Sequence, residues 1–180
     1  MDVFSRTFLP AAAEAGVAIP TVSRHMPIFR RCVEPDETTV LVSRCLRPDT
    51  PMAGEFLLLL THRRLVVIQE TKVFHRLRLH LNANLRHLTN VTWNADPGRS
   101  ALDVAATAVD GVRERFRMRL GEPETVWHFD ALLRGLFHGP RGALPAHSAH
   151  SAHSAAQAPP AQPVRRVATG RPAVAAAQAA

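Results

Sequence analysis

Apolar and polar residues alternate strictly over residues 76–81, RLRLHL, with Leu77, Leu79 and Leu81 on one side and Arg76, Arg78 and His80 on the other. A period of two marks a strand with one dry face and one wet face. The period returns over residues 112–120, VRERFRMRL, where Arg113, Arg115, Arg117 and Arg119 alternate with Phe116, Met118 and Leu120. Other apolar runs are unbroken: TTVLVSRCL at 38–46, then EFLLLL and RLVVIQE on either side of THR. The last two predict a hairpin with Thr61, His62 and Arg63 at its tip. With LRHLTNVTW and ALDVAATAV added, seven strands are expected, near 38–46, 55–61, 64–70, 75–81, 85–94, 101–109 and 112–120. Strands this closely spaced leave no room for crossover helices. The expected fold is therefore mainly β, an antiparallel seven-stranded meander bent into a sandwich or partly open barrel.

The pattern changes to a helical one in EPETVWHFDALLRGLF. Val126, Phe129, Leu133, Leu136 and Phe137 form an apolar stripe, and Pro123 suits the first helical position. Glu122 and Glu124 stand at the positive end of the helix dipole, Arg134 and His138 at the negative end, and Gly139-Pro140 stops the helix. This C-terminal helix should plug one end of the barrel. Trp127 falls off the stripe, so it is either a rim residue packed over the barrel edge or part of a partner surface. Near the N-terminus, residues 2–15 predict a short helix with Asp2 as N-cap and Phe4, Phe8 and Leu9 on one face, although Pro10 argues for a kink or a later start. Gly16 and Pro20 should close it, leaving TVSRHMPIFRR as an irregular or extended lead-in. Whether this zone packs on the strands stays open from the pattern alone.

The register of the last hairpin can be derived. A two-residue Asp110-Gly111 turn would place Leu102 and Val104 on the arginine face, a mismatch for both strands. A three-residue loop, 109–111, with Gly111 left-handed, pairs Ala108 with Val112 and brings Leu102 opposite Met118 and Val104 opposite Phe116. Asp103 then faces Arg117, a cross-strand pair contributing about 0.2–1 kcal/mol. Unpartnered arginines are too costly to bury, so the row is expected on the solvent face.

Composition narrows the functional classes. The 180-residue chain carries a formal charge of +7, but Arg141, Arg165, Arg166 and Arg171 supply +4 beyond Gly139, where no acidic residue occurs. The part before Gly139 has 18 basic and 15 acidic side chains and is only mildly basic. The expected organisation is an N-terminal helix and lead-in over 1–31, a domain over 32–138, and a disordered low-complexity tail over 139–180. In that tail His147, His150 and His153 recur every third residue, too loosely arranged to fix a metal geometry. Cys32 and Cys45 are read as reduced, partly buried thiols. No basic leader with an apolar run opens the chain, and His62, Arg63 and Arg64 interrupt its most apolar segment, so no signal peptide or membrane span is expected and a cytoplasmic location is. Neither a nucleophile-elbow pattern nor a glycine-rich phosphate loop occurs, so neither enzyme activity nor a cofactor is expected.

The stretch VEPDETTVLVSRCL is similar to the opening L-x-x-x-E-x-V strand of bacterial pleckstrin-homology-like (PH-like) domains, and LLLLTHRRLVVIQE resembles their T-D-R-R-L hairpin, with His62 in the acidic position. The seven strands and final helix agree with that family. The resemblance implies a non-enzymatic interaction module with a protein or peptide partner. Inositol phosphate binding in eukaryotic relatives uses basic residues across the first two strands, but here Asp49 and Glu55 accompany Arg44 and Arg47. A second reading is an anionic lipid or nucleic-acid surface built from Arg113, Arg115, Arg117 and Arg119, with Arg76, Arg78 and the tail arginines.

Overall fold

The computed structural model describes residues 2–50, 52–71 and 74–139. The expectations for the tail, including its histidine repeat, lie outside these residues. In chain order the elements are helices α1 (Val3–Glu14) and α2 (Ile19–Cys32), then strands β1 (Thr39–Leu46), β2 (Glu55–Thr61), β3 (Arg64–Glu70) and β4 (Leu77–Asn84). A short 3-10 turn, Leu85–His87, leads to β5 (Thr89–Asp96), and a second, Pro97–Arg99, to β6 (Ala101–Thr107) and β7 (Arg113–Arg119). Helix α3 (Pro123–Phe137) follows. All seven strands form one antiparallel sheet in the order β4-β3-β2-β1-β7-β6-β5, so β4 and β5 are its edges. Seven antiparallel strands followed by a helix is the architecture that the sequence pattern and the resemblance implied.

Two cores lie on opposite faces of this sheet. On the inner face Leu41, Cys45, Phe56, Leu58, Leu60, Leu102, Phe116 and Met118 pack together under Phe129 and Leu133 of α3. On the outer face Val42, Leu57, Leu59, Val66 and Ile68 pack against Phe4 and Phe8 of α1 and Phe29 and Cys32 of α2. This second core explains the unbroken FLLLL run, since a strand covered on both faces needs apolar residues at both parities. Both thiols are free and buried, and burial pushes each above its ordinary pKa.

Three expectations are corrected. Residues 19–32, expected as an irregular lead-in, form α2, with His25, Phe29 and Cys32 buried at helical spacing and Pro20 in its first turn. Pro27 lies on its exposed side. Pro10 is likewise accommodated on the exposed side of α1, whose buried residues include Phe4, Phe8 and Ala12, while Leu9 is exposed. Third, β4 extends to Asn84 and β5 begins only at Thr89, because the Asn84 side chain accepts from the Arg86 N–H and starts the 3-10 turn between them.

The β6–β7 hairpin has the derived register: Leu102 pairs with Met118, Asp103 with Arg117 and Val104 with Phe116. Gly111 is left-handed, at φ 79°, and the Ala108 N–H donates to the Val112 carbonyl. With a Cβ at that φ the turn would be strained, so glycine here helps fix which face each side chain takes.

Candidate functional site

The arginine row is split by its own strand. Arg113, Arg115, Arg117 and Arg119 are exposed, while Glu114, Phe116 and Met118 are buried on the other face of β7. Arg117 is bidentate to Asp103, at 2.7 and 2.9 Å, which raises the guanidinium pKa further. Arg113 reaches across β6 to β5, where it donates to the Asn90 carbonyl at 3.0 Å and the Thr92 hydroxyl at 2.9 Å. Asn90 is left-handed, at φ 50°, and sits where the β5–β6 register shifts, so Arg113 braces a bulge on the edge strand. Arg115 lies opposite Ala105, a residue too small to cover it.

Arg76 and Arg78 are not brought to this row. Arg78 belongs to β4, separated from β7 by β3, β2 and β1, and Arg76 precedes that strand with its guanidinium 5.4 Å from the centre of the Phe74 ring. Helices α1 and α2 cover the outer face of β1–β3, whereas Thr92, Asn94 and the four arginines of β7 remain exposed on β5 and β7.

Trp127 is 58% exposed on α3. It shares with Arg134 of the same helix and with His138 at the helix C-cap an open groove of about 530 Å³, whose other wall is residues 91–95 of β5. The wall is held in place by polar bonds. The Trp93 Nε1–H donates to Asp130 at 2.8 Å, Arg134 donates to the other Asp130 oxygen at 2.8 Å, and the Trp93 ring lies against Phe137 and His138. The Trp93 bond lowers the Asp130 carboxyl pKa, burial opposes it, and Arg134 lowers it further. Asp130 is therefore a carboxylate at neutral pH, committed to fixing α3 against β5. Because β5 is a sheet edge, one row of its backbone groups has no neighbouring strand.

Two features escaped the sequence reading. Glu114 occupies an inward position beside Phe116, where its carboxylate meets His80 at 3.1 Å and Arg47 at 3.2 Å. A charged residue on the apolar side of an alternating strand was the available signal. Asp130 likewise stands four residues from Val126, on the apolar stripe of α3, and marks the helix anchor. Among the described residues no three His, Cys, Asp or Glu side chains stand close enough to hold a metal ion. No helix there is long and apolar enough to cross a membrane.

No family model matches this chain, and no curated protein matches it. Among solved structures it is similar to a chain in the crystal structure of the complex of PDZ-RhoGEF DH/PH domains with GTP-gamma-S activated RhoA, at 12% identity and a TM-score of 0.43. That similarity covers 72% of this chain and 37% of the other, so this chain matches little more than a third of the other chain's length.

Proposed function

We propose that this chain is a non-enzymatic PH-like interaction module that holds an extended segment of a partner protein on the free edge of β5, in the groove beside α3. The observation that carries this reading is the exposure of Trp127 on the rim of a groove whose opposite wall is an unpaired strand edge. An added strand gains its affinity from main-chain hydrogen bonds and its selectivity from alternate side chains. Here the inward side chains would meet Trp127 and Trp93, and burying a large apolar residue there contributes about 1.5–3 kcal/mol. The Trp93–Asp130–Arg134 bonds keep the groove open before any partner arrives, which limits the ordering cost of binding.

A second reading, an anionic lipid or nucleic-acid surface on the arginine face, draws on the four exposed arginines of β7. It has less support, because the Asp103 carboxylate neutralises Arg117 in the middle of the row.

The test uses the only two tryptophans of the chain, which both line the groove. Ten-residue peptides selected from a random display library on the full chain are titrated by intrinsic fluorescence. The reading predicts a saturable emission change and at least ~10-fold weaker binding to the Trp127→Ala protein, the loss expected for a central aromatic contact. Selected peptides that bind Trp127→Ala as tightly as the parent would rule the groove out.

A further inference from the structure

The position of Arg113 gives this groove a preference of its own, an inference that rests on the strand-addition reading above. Although anchored on β7, Arg113 lies across β6 and places its guanidinium on Thr92 of the edge strand, 2.9 Å from the hydroxyl. A strand added to β5 would set the residue opposite Thr92 on the same face, with Cβ atoms about 4.5–5.5 Å apart. The charge of a residue on β7 is thus delivered to the docking edge two strands away. Arg115 adds to it, since Ala105 and Thr92, its neighbours along the row, are both too short to screen it. The acids nearest the edge are committed: Asp103 holds Arg117, Asp130 holds Trp93 and Arg134, and Asp96 caps the turn at Arg99.

We infer that the edge of β5 selects acidic strands: peptide segments with apolar side chains facing Trp127 and Trp93, and Asp or Glu on the outward positions beside Thr92. Charge also separates this partner from the chain's own tail, which is basic, with Arg141, Arg165, Arg166 and Arg171 and no acidic residue beyond Gly139. Arg113 is then a selectivity residue as well as a brace for the bulge.

Three ten-residue peptides decide the matter, identical at the inward positions, which carry Leu and Val, and bearing Asp, Ser or Lys at the outward ones. Each is titrated into the full chain, with amide hydrogen exchange followed on β5. The expected result is that all three protect β5, with the Asp form binding about 2- to 5-fold tighter than the Ser form and the Lys form weakest, a spread that narrows as salt is raised. Arg113→Gln should remove most of the Asp-over-Ser advantage, and Arg113→Lys, which keeps the charge without the fork, should retain it. Arg115→Gln, at a position that does not brace the bulge, should reduce it even if Arg113→Gln fails to fold. Equal binding of all three forms with β5 protected would overturn the acidic preference while leaving strand addition standing. If none protects β5, strand addition fails and this inference fails with it. Protection of β5 in the free chain that disappears on removal of residues 140–180 would make the tail the occupant. Displacement of the Asp peptide by a single-stranded DNA that itself protects β5 would make the edge a nucleic-acid site. Either result would overturn the inference.

Discussion

One hydroxyl connects the two motifs on which the family resemblance rests. The Thr61 oxygen accepts from the N–H groups of Arg63 and Arg64, closing the β2–β3 hairpin, and its own proton goes to Glu37. Glu37 is wholly buried, and its other oxygen accepts from Arg64 at 2.6 Å and from the Glu34 N–H at 3.1 Å. Burial pushes the Glu37 carboxyl up, yet the Thr61, Glu34 and Arg64 bonds outweigh it and hold the pKa below its ordinary value. The Glu of VEPDE and the T-x-R-R of THRR are thus partners in one cluster, and His62, in the acidic position of the family pattern, contributes Nδ1 to the Thr38 N–H. At the same scale His25 makes a prediction. It is buried in α2, donates Nδ1–H to the Thr21 carbonyl, and burial lowers its pKa below the ordinary 6.5. Below pH 6.5 the unfolded chain takes up a proton at this site that the folded chain refuses, so the stability it contributes is intact above pH 6.5 and lost as pH falls below it. Urea midpoints measured from pH 7.5 to 5 should decline, and His25→Phe should flatten the decline. An unchanged slope in that variant would remove His25 as its cause.

At the scale of elements, the helices α1 and α2 are part of the sheet's packing. They cover Val42, Leu57, Leu59, Val66 and Ile68, which without them would form an exposed apolar face on three strands. Phe29→Ala should therefore cost about 3–5 kcal/mol, read from the shift in urea midpoint at constant slope. A cost under about 1 kcal/mol would mean that α2 does not seal this face. The strands were legible because alternation and turn chemistry are local: the 109–111 loop and the Asp103–Arg117 pairing follow from parity alone. Helix α2 was not, because Pro20 read as a stop and the stretch after it as a lead-in, although Val22, His25, Phe29 and Cys32 carried the helical spacing. Proline disrupts a helix through a lost backbone bond and a clash with the preceding turn. In the first turn no bond is lost, and on an exposed side the remaining cost is offset by what the opposite face buries. The groove was half legible: Trp127 stood off the apolar stripe, but nothing local in the sequence announced that β5 would be the edge.

For the whole molecule, the strand order decides where a partner can dock. The same meander that closes β1 against β7 leaves β4 and β5 at the ends. Only β5 lies beside a groove walled by α3 with a tryptophan on each side. The outer face divides in the same way, with apolar helices over β1–β3 and exposed arginines on β7, two strands from the docking edge. Residue-resolved amide hydrogen exchange of the full chain, with and without a selected peptide, locates the docking edge. New protection is expected on residues 91–95 of β5, with smaller changes on α3 around Trp127 and none on β4. Protection confined to β4 or to the arginine face of β7, with β5 unchanged, would contradict docking on β5.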